Sequence, residues 1–70
     1  MWSEGTLNGY DYWVKHFEAG SEYGIDGGRI SKLTIRKDGK EIYNYDRDLD
    51  FDNLDPAGRA VYNELLKRYN

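Results

Sequence analysis

The chain has 70 residues, 13 acidic and 10 basic, with a formal charge of -3 and no cysteine. That length allows one domain, which on folding hides only roughly 60% of the surface its unfolded chain exposes, so nearly the whole molecule must serve as core. Disulfides, thiolate metal sites and cysteine nucleophiles are excluded, and the net charge gives no global pull toward nucleic acid or anionic membrane.

The first elements are two strands, at about 2–7 and 10–17, joined by Asn8-Gly9. This pair suits a type I′ turn because both central residues need positive φ. EAGSEYGIDGG follows. Its three close glycines, Gly24, Gly27 and Gly28, predict an irregular, conformationally demanding loop. A second hairpin spans about 30–37 and 40–47 around Asp38-Gly39, and ISKLTI and EIYNY supply β-branched and aromatic residues. The last element is a helix over about 56–69. Asp55 is placed as its N-cap and Pro56 at its first position, and Val61, Tyr62, Leu65, Leu66 and Tyr69 form its apolar stripe. The expected fold is α+β, a four-stranded antiparallel sheet of two hairpins with the helix on one face.

Alternation within the hairpins sorts side chains between the two faces. From the Asp38-Gly39 turn, Ile35 is expected opposite Ile42 and Thr34 opposite Tyr43. This places Leu33, Ile35 and Ile42 under the helix. Lys32, Thr34, Arg36, Glu41, Tyr43, Tyr45 and Arg47 then fall on the other face. From the Asn8-Gly9 turn, Leu7, Tyr10, Tyr12 and Val14 share one face, and Trp2, Glu4, Trp13, Lys15 and Phe17 the other. The expected result is an exposed aromatic and cationic patch of Trp2, Trp13, Phe17, Arg29, Lys32, Arg36, Tyr43, Tyr45 and Arg47, larger than a monomer ordinarily leaves to water.

Charge is segregated along the chain. Residues 29–40 are basic, and residues 46–55 carry Asp46, Asp48, Asp50, Asp52 and Asp55 against Arg47 alone. The alternating aspartates fail the EF-hand pattern: counting from Asp46, Phe51 stands where glycine is needed and Ala57 where a bidentate glutamate belongs. Five aspartates in one short segment also fall short of an extended DNA mimic; they complement the amino-terminal end of the helix dipole. Gly27–Lys32 lacks the GK[ST] of a P-loop and the GxGxxG of a dinucleotide turn. His16, the single histidine, would need Ser3, Ser21 or Ser31 beside it and a carboxylate behind it to form a triad, and is expected to lie on the surface or a sheet edge. No metal, cofactor or catalytic residue is expected.

SEYGIDGGRISKLTI followed by NYDRDLDF, with a tryptophan near the start and a short terminal helix, resembles a small uncharacterised domain family of Gram-positive bacteria and their phages. The resemblance covers nearly the whole chain. In that family's pattern a glycine and a tryptophan follow YDR, where this chain has Asp48 and Leu49. The resemblance implies a phage or mobile-element context and no particular activity.

The residues and the resemblance together lead to a soluble, cytoplasmic, non-enzymatic binding module. No apolar run approaches the roughly 20 residues of a membrane span, and the amino terminus lacks the marks of a secretion signal. A protein partner, either a host factor or a second copy in a homodimer, is favoured, because tyrosine, tryptophan and arginine dominate interface energetics. The alternative is single-stranded nucleic acid, with bases stacked on Tyr43 and Tyr45 and phosphates followed by Arg29, Lys32, Arg36 and Arg47. The acidic balance and the missing RNP-type signature disfavour it.

Overall fold

The computed structural model describes all 70 residues. The chain is α+β, with five antiparallel strands rather than four: β1 (Trp2–Leu7), β2 (Tyr10–His16), β3 (Ile30–Lys37), β4 (Lys40–Asp46) and β5 (Leu49–Asp52), then helix α1 (Pro56–Tyr69). The strands lie side by side in chain order, so β1 and β5 are the two edges.

Both sequence-assigned turns have the backbone that their residues favour. Asn8 and Gly9 have φ of 53° and 82°, and Asp38 and Gly39 have 52° and 80°, the paired positive φ of a type I′ turn. The first hairpin keeps the expected register from Leu7↔Tyr10 to Trp2↔Lys15, which sends Tyr10, Tyr12 and Val14 into the core.

The second hairpin begins in the expected register, with Lys37↔Lys40 and Arg36↔Glu41, and then departs from it. Ile35 pairs with Tyr43 and Leu33 with Tyr45, so Ile42 is an extra residue, a β-bulge opposite Arg36. Side-chain parity in a strand has period two, and one extra residue reverses every later assignment. Tyr43 is 2% exposed, and it and Tyr45 turn to the helix side, which corrects their expected place on the outer face. Ile42 also stays partly buried against the core. The energetic reason is direct. Burying one large ring contributes about 2–3 kcal/mol, while a bulge costs on the order of one ladder hydrogen bond, about 1 kcal/mol.

The fifth strand arises from the acidic run. Arg47, with φ of 61°, turns the chain, and Asn44↔Phe51 and Tyr43↔Asp52 pair β5 onto β4. The aspartates are then distributed among separate partners. Asp46 lies 3.7 Å from Lys32, Asp50 accepts from Asn44 Nδ2 at 3.1 Å, and Asp52 holds Arg59 of α1 at 2.6 Å.

The helix begins as expected. Asp55 accepts from the Gly58 amide at 2.7 Å, and its two carboxylate oxygens also accept from the Tyr10 hydroxyl, each at 2.8 Å. Val61 and Leu65 close over Ile30, Leu33 and Ile35, all fully buried, and Tyr62 meets Tyr43 with ring centroids 5.1 Å apart. At the far end, Asn70 ties the glycine-rich loop to the helix, accepting from the Ile30 amide and donating to the Ile25 carbonyl. No helix is long and apolar enough to cross a membrane.

Candidate functional site: the helix-free face of the sheet

The face of the sheet opposite α1 is built by the residues whose parity sends them away from the core. Register brings Trp2 beside Lys15, Trp13 between Glu4 and Thr34, and Asp11 beside Arg36. Across the next pair lie Thr34 beside Asn44 and Lys32 beside Asp46, and Phe51 of β5 adjoins Asn44. The aromatic side chains here are partnered by cations. The Arg36 guanidinium lies 4.8 Å from the Trp13 ring, and Lys15 Nζ lies 5.9 Å from Trp2 and 5.5 Å from Phe17. Such stacking sets the charged ends of these side chains against the rings, and Arg36 Nε is buried there without a hydrogen-bond partner. Trp2 is 59% exposed and Phe17 47%.

Three cations are also paired with acids. Lys32 faces Asp46, Arg36 approaches Glu41 at 3.9 Å, and Arg47 sits 3.5 Å from Asp46. At this exposure each pair contributes about 0–1 kcal/mol, but together they leave the face electrically mixed. Thr34 donates to Asn44 Oδ1 at 2.7 Å, so a short polar ladder crosses the middle of the face.

Of the residues assigned to the patch from sequence, the structure brings together Trp2, Trp13, Phe17, Lys32 and Arg36. Arg29 stands just before β3 at one end of the sheet, beside a cavity of about 340 Å³ that it lines with Met1, His16, Phe17 and Glu18. Arg47 is in the β4–β5 turn. Tyr43 and Tyr45 are absent from the face. Burial pushes the Tyr43 hydroxyl well above its ordinary range, with the Tyr62 hydroxyl adding to the shift. The Tyr45 hydroxyl donates to the Tyr23 carbonyl at 2.9 Å, bracing the glycine-rich loop. Phe51 was missed because its strand was hidden in the acidic run. Lys15 was placed on this face by alternation, yet its contacts with two rings needed the three-dimensional arrangement.

Other candidate centres resolve into local roles. Amides of Gly24, Gly27 and Gly28 donate to carbonyls of Ser21, Gly24 and Ile25, so the glycine-rich loop uses its own N–H groups internally. Gly28 packs so tightly against the Asn70 side chain that a Cβ there would overlap it. No group of three or more His, Asp or Glu side chains converges in a metal-ligating arrangement.

His16 is half-buried on the helix side rather than at the surface, with its ring 4.8 Å from Tyr69 and Nε2 3.0 Å from Ser3 Oγ. No carboxylate orients its other nitrogen. Burial, with the Met1 amino group and Arg29 adding to it, lowers its pKa below the ordinary histidine value. The pair thus joins β1 to β2 at the carboxyl-terminal end of α1.

No curated protein and no solved structure matches the chain. A family model does match, over residues 1–70, and the chain therefore belongs to the DUF7678 family, a domain of unknown function.

Proposed function

We propose that this domain is a non-enzymatic protein-interaction module whose contact surface is the helix-free face of the sheet. The observation that carries the reading is the cluster of Trp2, Trp13 and Phe17 with Lys15 and Arg36 stacked on their rings, on a face that no other part of the chain covers. Aromatic and arginine side chains are the usual anchors of protein interfaces, and a rim of mixed charge supplies orientation. Two features favour a protein over single-stranded nucleic acid. The tyrosines that would have stacked bases lie on the helix side, and Lys32, Arg36 and Arg47 each already face a carboxylate.

The test is affinity capture with the tagged domain from a lysate of the cells that produce it, with and without nuclease, beside Trp13→Ala and Arg36→Ala variants whose folding is checked by circular dichroism. A protein retained after nuclease and lost from both variants is the expected result. Equal recovery by the variants, or recovery of nucleic acid alone, overturns the reading.

A further inference from the structure

The two edges of the sheet differ. β5 has four residues, carries Asp50 and Asp52, and is interrupted by a bulge; short length, charge and irregularity are the devices by which proteins keep an edge from pairing. β1 is longer and regular, and its single charge is Glu4. It runs six residues without proline, lysine or bulge and pairs with β2 in unbroken register.

Its backbone is also oriented for a further partner. Met1 and His16 exchange hydrogen bonds, Met1 N to His16 O at 3.0 Å and His16 N to Met1 O at 2.9 Å. In an antiparallel pair, hydrogen-bonded and non-bonded positions alternate. Ser3, Gly5 and Leu7 therefore turn their N–H and C=O groups to β2, while Trp2, Glu4 and Thr6 turn theirs outward. These same three residues carry their side chains onto the helix-free face.

Along that edge lie two shallow clefts. One, of about 280 Å³, is lined by Trp2, Ser3, Glu4 and Trp13. The other, of about 380 Å³, is lined by Glu4, Gly5, Thr6, Asp11, Tyr12 and Trp13. They fall on either side of Glu4, one between Trp2 and Glu4 and the next between Glu4 and Thr6. That two-residue repeat matches the spacing of alternate side chains on an added strand, about 6–7 Å. Glu4 and Asp11 border the clefts and form no ion pair, unlike the acids in the middle of the face. A carboxylate beside an indole face suits a lysine or arginine side chain.

We infer that β1 is a strand-addition site that takes an extended segment of a partner protein bearing basic residues at alternate positions, with two successive basic side chains in the clefts flanking Glu4. The inference rests on the helix-free face being a protein-binding surface and specifies how the partner is held. A second copy of this chain fits the edge poorly. Pairing two β1 strands about a two-fold with the longest overlap sets Glu4 directly against Glu4, and like charges so placed are destabilising.

The test uses the acetylated, amidated peptide Thr-Lys-Val-Lys-Val-Lys-Thr, titrated into the ¹⁵N-labelled domain, with Thr-Lys-Lys-Lys-Val-Val-Thr as a control of equal composition and charge. The expected result is slowed amide exchange at Glu4 and Thr6, shifts of both tryptophan indoles, and affinity at least about tenfold weaker for the control peptide. The same loss is expected for Glu4→Lys, which reverses the cleft charge, and for Thr6→Pro, which removes an outward N–H while sparing the β1–β2 ladder. Should Thr6→Pro fail to fold, Glu4→Lys carries the test alone.

Equal binding of the two peptides, or no binding at millimolar concentration, overturns strand addition. Shifts confined to Arg36, Asn44 and Phe51 overturn it also, while leaving the face as a protein-binding surface. A dimer seen by sedimentation and dissolved by Thr6→Pro assigns the edge to a second copy and overturns the inference. The capture experiment with Trp13→Ala and Arg36→Ala tests the face independently, so failure of the two readings is distinguishable.

Discussion

Replacing Tyr43 by alanine tests the bulge on which the assignment of the two faces depends. Tyr43 is 2% exposed and its ring lies 5.1 Å from that of Tyr62. Removing a buried aromatic ring costs about 3–5 kcal/mol through lost burial and the cavity left behind. A domain of this length has a total stability of about 3.5–10 kcal/mol, so the substitution should consume a large part of it. At about 4–8 °C per kcal/mol, the melting temperature should fall by at least about 12 °C. Thermal unfolding followed by circular dichroism, with Thr34→Ala as the control on the opposite face, reads this directly. A fall of less than about 4 °C for Tyr43→Ala would mean that the ring faces water and that β4 is not bulged. Deletions give a second reading. Removing Ile42 joins Glu41 directly to Tyr43 and leaves an unbulged ladder with Tyr43 still opposite Ile35, whereas removing Asn44 reverses the parity of Tyr45. The Ile42 deletion should be the more stable of the two.

Asp55 receives the Tyr10 hydroxyl and the Gly58 amide, which hold its carboxyl below its ordinary value of 3.8, with its stabilising effect complete above that value and lost as pH falls through the lower folded value. Acid unfolding of Asp55→Asn should therefore be less steep below about pH 4 than that of the parent, and its melting temperature at neutral pH should be lower by several degrees. His16 has a folded pKa below 6.5, so the unfolded chain takes up its proton first. Stability should be complete above that value and decline as pH falls from it toward the folded pKa, and denaturant titrations of His16→Gln should lack this component. Asn70→Ala removes the acceptor of the Ile30 amide and the donor to the Ile25 carbonyl, at a cost of about 1–3 kcal/mol. Faster amide exchange confined to residues 20–30 would show that the loop depends on the end of the helix, and unchanged exchange would refute that dependence.

Much of the architecture was legible in the sequence because it is encoded over short distances. Asn8-Gly9 and Asp38-Gly39 each accept two positive φ angles, and that local fact sets both hairpins. Asp55, Pro56 and the spacing from Val61 to Tyr69 set the helix in the same way. Alternation from the first turn also placed Trp2, Trp13 and Lys15 correctly, since no irregularity intervenes in that pair.

Tertiary structure decided the rest, where distant groups compete for one position. Whether β4 runs straight or bulges at Ile42 depends on Tyr62 of the helix receiving Tyr43, a contact between residues far apart in the chain. Whether LDFD is a solvated acidic tract or a strand depends on Tyr43 and Asn44 pairing with it and on Arg59 meeting Asp52. The glycine-rich loop acquires its shape from Asn70, forty-five residues after Ile25. Because strand parity has period two, the single bulge removed two tyrosines from the expected contact surface, and the proposed contact face that remains is drawn toward β1 and its open edge.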